Sequence, residues 1–148
     1  MIAEPITAVS LAEAWIFERL STDGPLSDLL GSRIYAGIAP EGTPYPLLTY
    51  QGISGVDTTA PGMRRVLTEM TYDIHMATRE GSIAALDPIA ARVDALLHGQ
   101  QAYLFASGAY TVACQRTAVV PTWGQVAGVQ TRELVATYEI LVQEAGDV

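Results

Sequence analysis

The stretch RVLTEMTYDIHMAT, Arg65 to Thr78, alternates between two kinds of side chain along its whole length. Val66, Thr68, Met70, Tyr72, Ile74 and Met76 fall on one side, and Leu67, Glu69, Thr71, Asp73, His75 and Ala77 on the other. Successive side chains of a strand point to opposite faces, so this period specifies a half-buried β-strand. A strand of this length must pair on both sides and be covered on its apolar face. That requirement constrains the chain more than any other feature. It predicts that helices cover the Val66 to Met76 side and that Glu69, Thr71, Asp73 and His75 form an exposed sheet face.

The rest of the chain supplies partners for it. Pro5 to Leu20 has a helical repeat of Val9, Ala12, Trp15 or Ile16, and Leu20, with Thr7 or Ser10 as its cap and Ser10 with Glu13 in a capping-box pattern. Asp23-Gly24-Pro25 ends it, and Leu26 to Leu30 forms one more short turn before Gly31. Arg33-Ile34-Tyr35 reads as a brief extended segment within a stretch punctuated by Gly and Pro. Leu47 to Ser54 reads as a strand, and GVDTTAPGM, Gly55 to Met63, as a long turn-forming connection. Loops of that length are often functional.

A second helix, with Leu86, Ile89 or Ala90, Val93, and Leu96 or Leu97 at helical spacing, ends at His98 and is closed by Gly99. Pro88 is tolerated if Asp87 caps it or if a turn from Ser82 runs into it. Tyr103 to Phe105 and Tyr110 to Val120 are extended, with Val112, Cys114, Arg116, Ala118 and Val120 assigned to one face. PTWGQVAG, Pro121 to Gly128, reads as a loop, and Val129 to Glu144 as the last strand. The expected fold is a single α+β domain over residues 1–148: a mostly antiparallel four-stranded sheet with two main helices packed on one face, a two-layer sandwich.

Composition bears on partners. A chain of 148 residues buries about 68–70% of its unfolded surface and needs no metal or disulfide to fold. Charged residues make up only 16%, against roughly 25% in ordinary domains. A surface so poor in charge suits subunit contacts. The net charge is -8, and all eight basic residues are arginines spread between Arg19 and Arg132. A clustered basic face is missing, which argues against gripping nucleic acid. Cys114 is the only cysteine, so no internal disulfide is possible, as suits a reducing compartment. The N-terminus lacks the pattern of a signal peptide, and no run approaches the roughly 18 apolar residues of a membrane span. A soluble protein made in the cytosol is expected.

Catalytic chemistry finds little support. Asp73 and His75 share a strand face and invite a metal site, but an ordinary polar face accounts for them better. Cys114 with His75 or His98 imitates a nucleophile and base, yet its apolar neighbours predict a buried inert thiol. Glu69, Asp73, Glu133 and Glu139 alternate with Thr, Leu and Val without a general-acid partner. GVDTTAPG lacks the lysine and spacing of a phosphate loop. No catalytic, cofactor or metal residue is assigned.

The N-terminal helix, the segment RIYAGIAPEGTPYPLLTYQG at Arg33 to Gly52, the strand TEMTYDIHMATREG followed by a helix, and the closing strand TRELVATYEILVQE carry a family likeness. In this arrangement the chain resembles the tail-terminator, or tail-completion, proteins of long-tailed bacteriophages and gene transfer agents. The resemblance implies a non-enzymatic virion protein without a cofactor. It implies a homo-oligomer, a hexameric ring at the head-proximal end of the tail tube, that stops tube polymerisation and joins tail to head. The implied partners are the tail tube protein and head-tail connector proteins, with DNA passing through without specific binding and no membrane involved. The implied location is the head-tail junction of a virion assembled in the host bacterial cytoplasm. Val56, Asp57, Thr58, Thr59, Met63, Arg64, Arg65 and Trp123 are the expected interface to a neighbour or the tube. The alternatives are a head-tail connector (stopper or adaptor) and a small-ligand-binding α+β domain outside phages.

Overall fold

The computed structural model describes residues 8–62, 64–105, 109–126 and 129–144. Two helices, α1 (Ala8–Ser21) and α2 (Gly24–Leu30), precede three strands: β1 (Ile34–Ala36), β2 (Leu47–Ala60) and β3 (Arg64–Thr78). A 3-10 turn (Ile83–Leu86) runs into α3 (Asp87–Leu97). Three strands complete the chain: β4 (Gln100–Phe105), β5 (Ala109–Val126) and β6 (Val129–Glu144).

The sheet has six strands in the order β1-β2-β3-β6-β5-β4. The pair β1–β2 is parallel and the other four are antiparallel. This overturns the expected four-stranded, two-helix sandwich. Strand dominates, the sheet is mixed, and there are three helices among the described residues. The expectation failed at short or split elements. β1 is only three residues long, too short to show a period. The segments flanking Ser107-Gly108 are two separate strands, β4 and β5.

β3 and β6 lie at the centre, paired from Leu67↔Gln143 to Thr78↔Arg132. Met70, Tyr72, Ile74 and Met76 of β3 and Ala136, Tyr138, Ile140 and Val142 of β6 are buried on one face. α1 covers that face with Leu11, Ala12, Trp15, Ile16 and Leu20, and α3 with Ile89, Val93, Leu96 and Leu97. Burying each of the larger of these side chains is worth roughly 1.5–3 kcal/mol, so the helices are held by tertiary packing more than by propensity.

Polar contacts lock the layers together. Tyr138 donates from its hydroxyl to Asp94 Oδ1 of α3 at 2.9 Å. Arg19 of α1 donates to the Leu96 carbonyl at 2.9 and 3.1 Å. Asp23 caps α2 by accepting from Leu26 N–H at 2.9 Å. The same carboxylate binds Arg92 of α3 at 2.8 and 2.6 Å, and that guanidinium is the main reason its pKa lies below the ordinary value.

α1 is already helical at Ala8, so Ser10 sits inside the helix and does not cap it. Pro5, the expected start, and Thr7, the alternative cap, lie outside the described residues. Pro88 occupies the first turn of α3, and Ser82 caps the 3-10 turn before it by accepting from Ala84 N–H at 3.2 Å. Gly99 takes the left-handed conformation with φ +73°, as a helix stop requires.

Candidate functional site: an open sheet face and two open edges

Opposite the helices, the sheet presents a face on which cross-strand neighbours line up in rows. One row is Gln51, Asp73, Thr137 and Ala118; the next is Thr49, His75, Val135 and Val120. The expected exposed residues Glu69, Thr71, Asp73 and His75 all lie on this face, each partly exposed. Thr137 donates to Asp73 Oδ1 at 2.7 Å. His75 Nδ1 stands 3.7 Å from Glu133 Oε2. Hydrogen bonding of the imidazole to the Glu133 carboxylate is the largest influence raising the His75 pKa, with burial opposing it and the charges of Glu133 and Asp73 reinforcing it. Glu139 is pushed up, first by burial and then by its hydrogen bond and repulsion with Glu69. Glu69, Asp73, Glu133 and Glu139 therefore gather on one face, and the face residues of β3 from Leu67 to Ala77 and of β6 from Glu133 to Gln143 include no arginine.

These groups do not form a metal centre. Among the described residues no cluster of three or more His, Cys, Asp or Glu is placed to hold a metal ion. Cys114 is buried on the helix side, its thiol pushed up to about 12, first by burial and then by the charge of Asp94. At neutral pH it is protonated, and a thiol is a poor nucleophile.

The expected interface loop is not a loop. Val56, Asp57, Thr58 and Thr59 belong to β2, and Arg64 and Arg65 open β3, so the ladder continues to Thr59↔Arg65 and Ala60↔Arg64. Met63 lies outside the described residues. Asp57 accepts from Thr68 Oγ1 at 2.8 Å and pairs with Arg65 at 3.6 Å. The turn preference of Gly55 and Asp57 is outweighed by pairing with the long central strand, while Pro61 and Gly62 remain in a turn. Likewise Pro121 to Val126 is strand, not loop, and pairs with β6 as far as Val126↔Val129. Trp123 is 63% exposed, with the Arg132 guanidinium 3.5 Å from its ring centroid.

A register shift between Arg116 and Ala118 turns the outer part of β5 over. Arg116 faces the helices opposite Tyr138, but Ala118 and Val120 lie on the open face, contrary to the single face expected for them. Val119, Pro121 and Trp123 take the helix-side positions instead, opposite Ala136, Leu134 and Arg132.

Sequence reasoning missed the two edges. β1 covers β2 only at Leu48–Tyr50, and β4 covers β5 only as far as Cys114. Gln51–Ala60 on one edge and Thr117–Val126 on the other have no lateral strand among the described residues. Ile53, Val56, Val119, Val120 and Trp123 on these segments are all exposed large apolar residues. Only strand order reveals this, and strand order is not written in any local pattern.

The fold is a strand-dominated mixed sheet with helices on one face. Residues 14–143 match the family model of the tail completion protein gp17; the chain belongs to that family, and so to the structural proteins of phage-type tails. It is similar to a chain of the virion of a native gene transfer agent particle, with a TM-score of 0.74 and 18% identity, covering 95% of this chain and 100% of that one. A second solved chain gives a TM-score of 0.65 at 16% identity, covering 96% of this chain and 100% of the other. No curated protein sequence matches. No helix among the described residues is long and apolar enough to cross a membrane.

Proposed function

We propose that this protein forms a ring on the head-proximal end of a tail tube, ends tube polymerisation there, and joins the tail to the head. The observation that carries the reading is the open sheet face. It bears Glu69, Asp73, Glu133 and Glu139 and has no arginine from Leu67 to Ala77 of β3 or from Glu133 to Gln143 of β6, which suits the wall of a channel through which DNA passes without sticking. The partners in this reading are other copies of the chain, in a hexameric ring, the tail tube protein, and the head-tail connector proteins. No cofactor or catalytic residue takes part. The protein acts in the virion, at the head-tail junction, after synthesis in the host cytoplasm.

Electron micrographs of the purified protein, alone and mixed with tail tubes, test it. Rings with a central hole, free or seated on one tube end, are expected. Their absence from both samples overturns the reading. Crosslinking to connector proteins but never to tube protein would instead assign the chain to the connector.

A further inference from the structure

We infer that successive copies of the chain join by their sheet edges, the outer half of β2 in one copy pairing antiparallel with the outer half of β5 in the next. This deepens the ring reading and rests on it. The two open segments lie on opposite edges and at opposite ends of the sheet, so a copy offers one of each. Such a contact is heterologous and propagates around a closed ring.

Several observations favour a second copy as the occupant. The strand order makes β2 and β5 antiparallel to each other, so side-by-side copies in one orientation present antiparallel edges. The segments Gln51–Ala60 and Thr117–Val126 are equal in length. Asp57 is the only charged residue in the first and the second has none, so no like charges oppose. Both carry exposed apolar side chains, which a long open edge cannot leave uncovered without risking aggregation.

Backbone phase sets the register. The Tyr50 carbonyl accepts from Gly37 N–H, and the Cys114 carbonyl accepts from Gly99 N–H. Counting outward through the register shifts, Gly52, Gly55 and Asp57 direct their backbone groups to one open edge. Val119, Pro121, Trp123 and Gln125 direct theirs to the other. Gly55 stands level with Met70, and Trp123 with Thr78, eight residues further along β3. A step of that size clears β1 of one copy and β4 of the other, and being even it keeps the two faces continuous. It sets Trp123 across from Gly55, an aromatic ring over an edge glycine. Pro121 then falls opposite Asp57 and withholds one ladder bond. The step amounts to about 26 Å along the strands for about 19 Å across four strands, so the strands run oblique to the ring axis, as in closed sheets.

In this register Val56 and Thr122 form a non-hydrogen-bonded pair, whose side chains approach most closely. The test is the double variant Val56→Cys with Thr122→Cys, oxidised with and without tail tubes. Buried Cys114 is left in place. A ladder of disulfide-linked multimers is expected from the double variant and none from either single variant. Assembly without linkage overturns the edge pairing and leaves the ring reading standing. Linkage in a single variant, or better linkage of Val56→Cys with Val120→Cys, overturns the heterologous contact or the register. Failure of the wild-type chain to assemble, free or on tubes, overturns both readings.

Discussion

β2 changes character part-way along its length. Leu47, Leu48 and Tyr50 are buried, whereas every residue from Gln51 to Thr59 is exposed. β5 does the same at the other edge, with Val112 and Cys114 buried and Gln115 to Pro121 exposed. The inner halves lie under the helices and belong to the core, while the outer halves extend past the helical layer. Substitutions in the two regions should therefore separate folding from assembly.

The largest effect belongs to the centre. Ile74 is fully buried, so Ile74→Asp forces an unpaired charge into the core, where penalties above about 4–5 kcal/mol are expected. Circular dichroism should show no cooperative melt. Tyr138→Phe removes the hydroxyl that donates to Asp94 and should cost about 1–2 kcal/mol in urea unfolding. A milder effect comes from the His75–Glu133 pair. The raised His75 pKa means its contribution is complete below about pH 6.5 and fades as pH rises through the higher folded value. Glu133, held low chiefly by His75, adds the opposite limit, losing its contribution as acid titrates it. The urea midpoint should therefore fall between about pH 6 and pH 8 in the wild type and stay nearly flat in His75→Gln.

At the edges the expectation inverts. Val56→Asp should change monomer stability by no more than about 0.5 kcal/mol, because Val56 is 59% exposed. Assembly measured by light scattering should nevertheless be lost. A variant that melts early but still assembles would erase the distinction between the two regions.

What could be read from the sequence follows the same division. β3 and β6 declared themselves because their alternation is long and uninterrupted, and Met70, Tyr72, Ile74 and Met76 of β3 lie in the core with the helices. α3 showed its stripe of Ile89, Val93 and Leu97. The outer half of β2 was hidden because Gly55 and Asp57 favour turns locally, as do Pro61 and Gly62 just beyond it, and the strand state of Gly55 and Asp57 comes from pairing with Met70 and Thr68 of β3. Pro121 misled in the same manner; its missing N–H points to the open edge, where a strand tolerates it. The shifts near Ile53 and Arg116 reverse which side chains share a face, and alternation alone gives no sign of them.

Asp23 couples α2 to α3. A single carboxylate is shared between the start of α2 and Arg92 on α3, and α2, at seven residues, is too short to persist alone. Loss of α3 would therefore remove the support of α2 at once, making the two a single cooperative unit. Amide protons of Leu30 and Leu97 should then exchange with solvent through the same opening event.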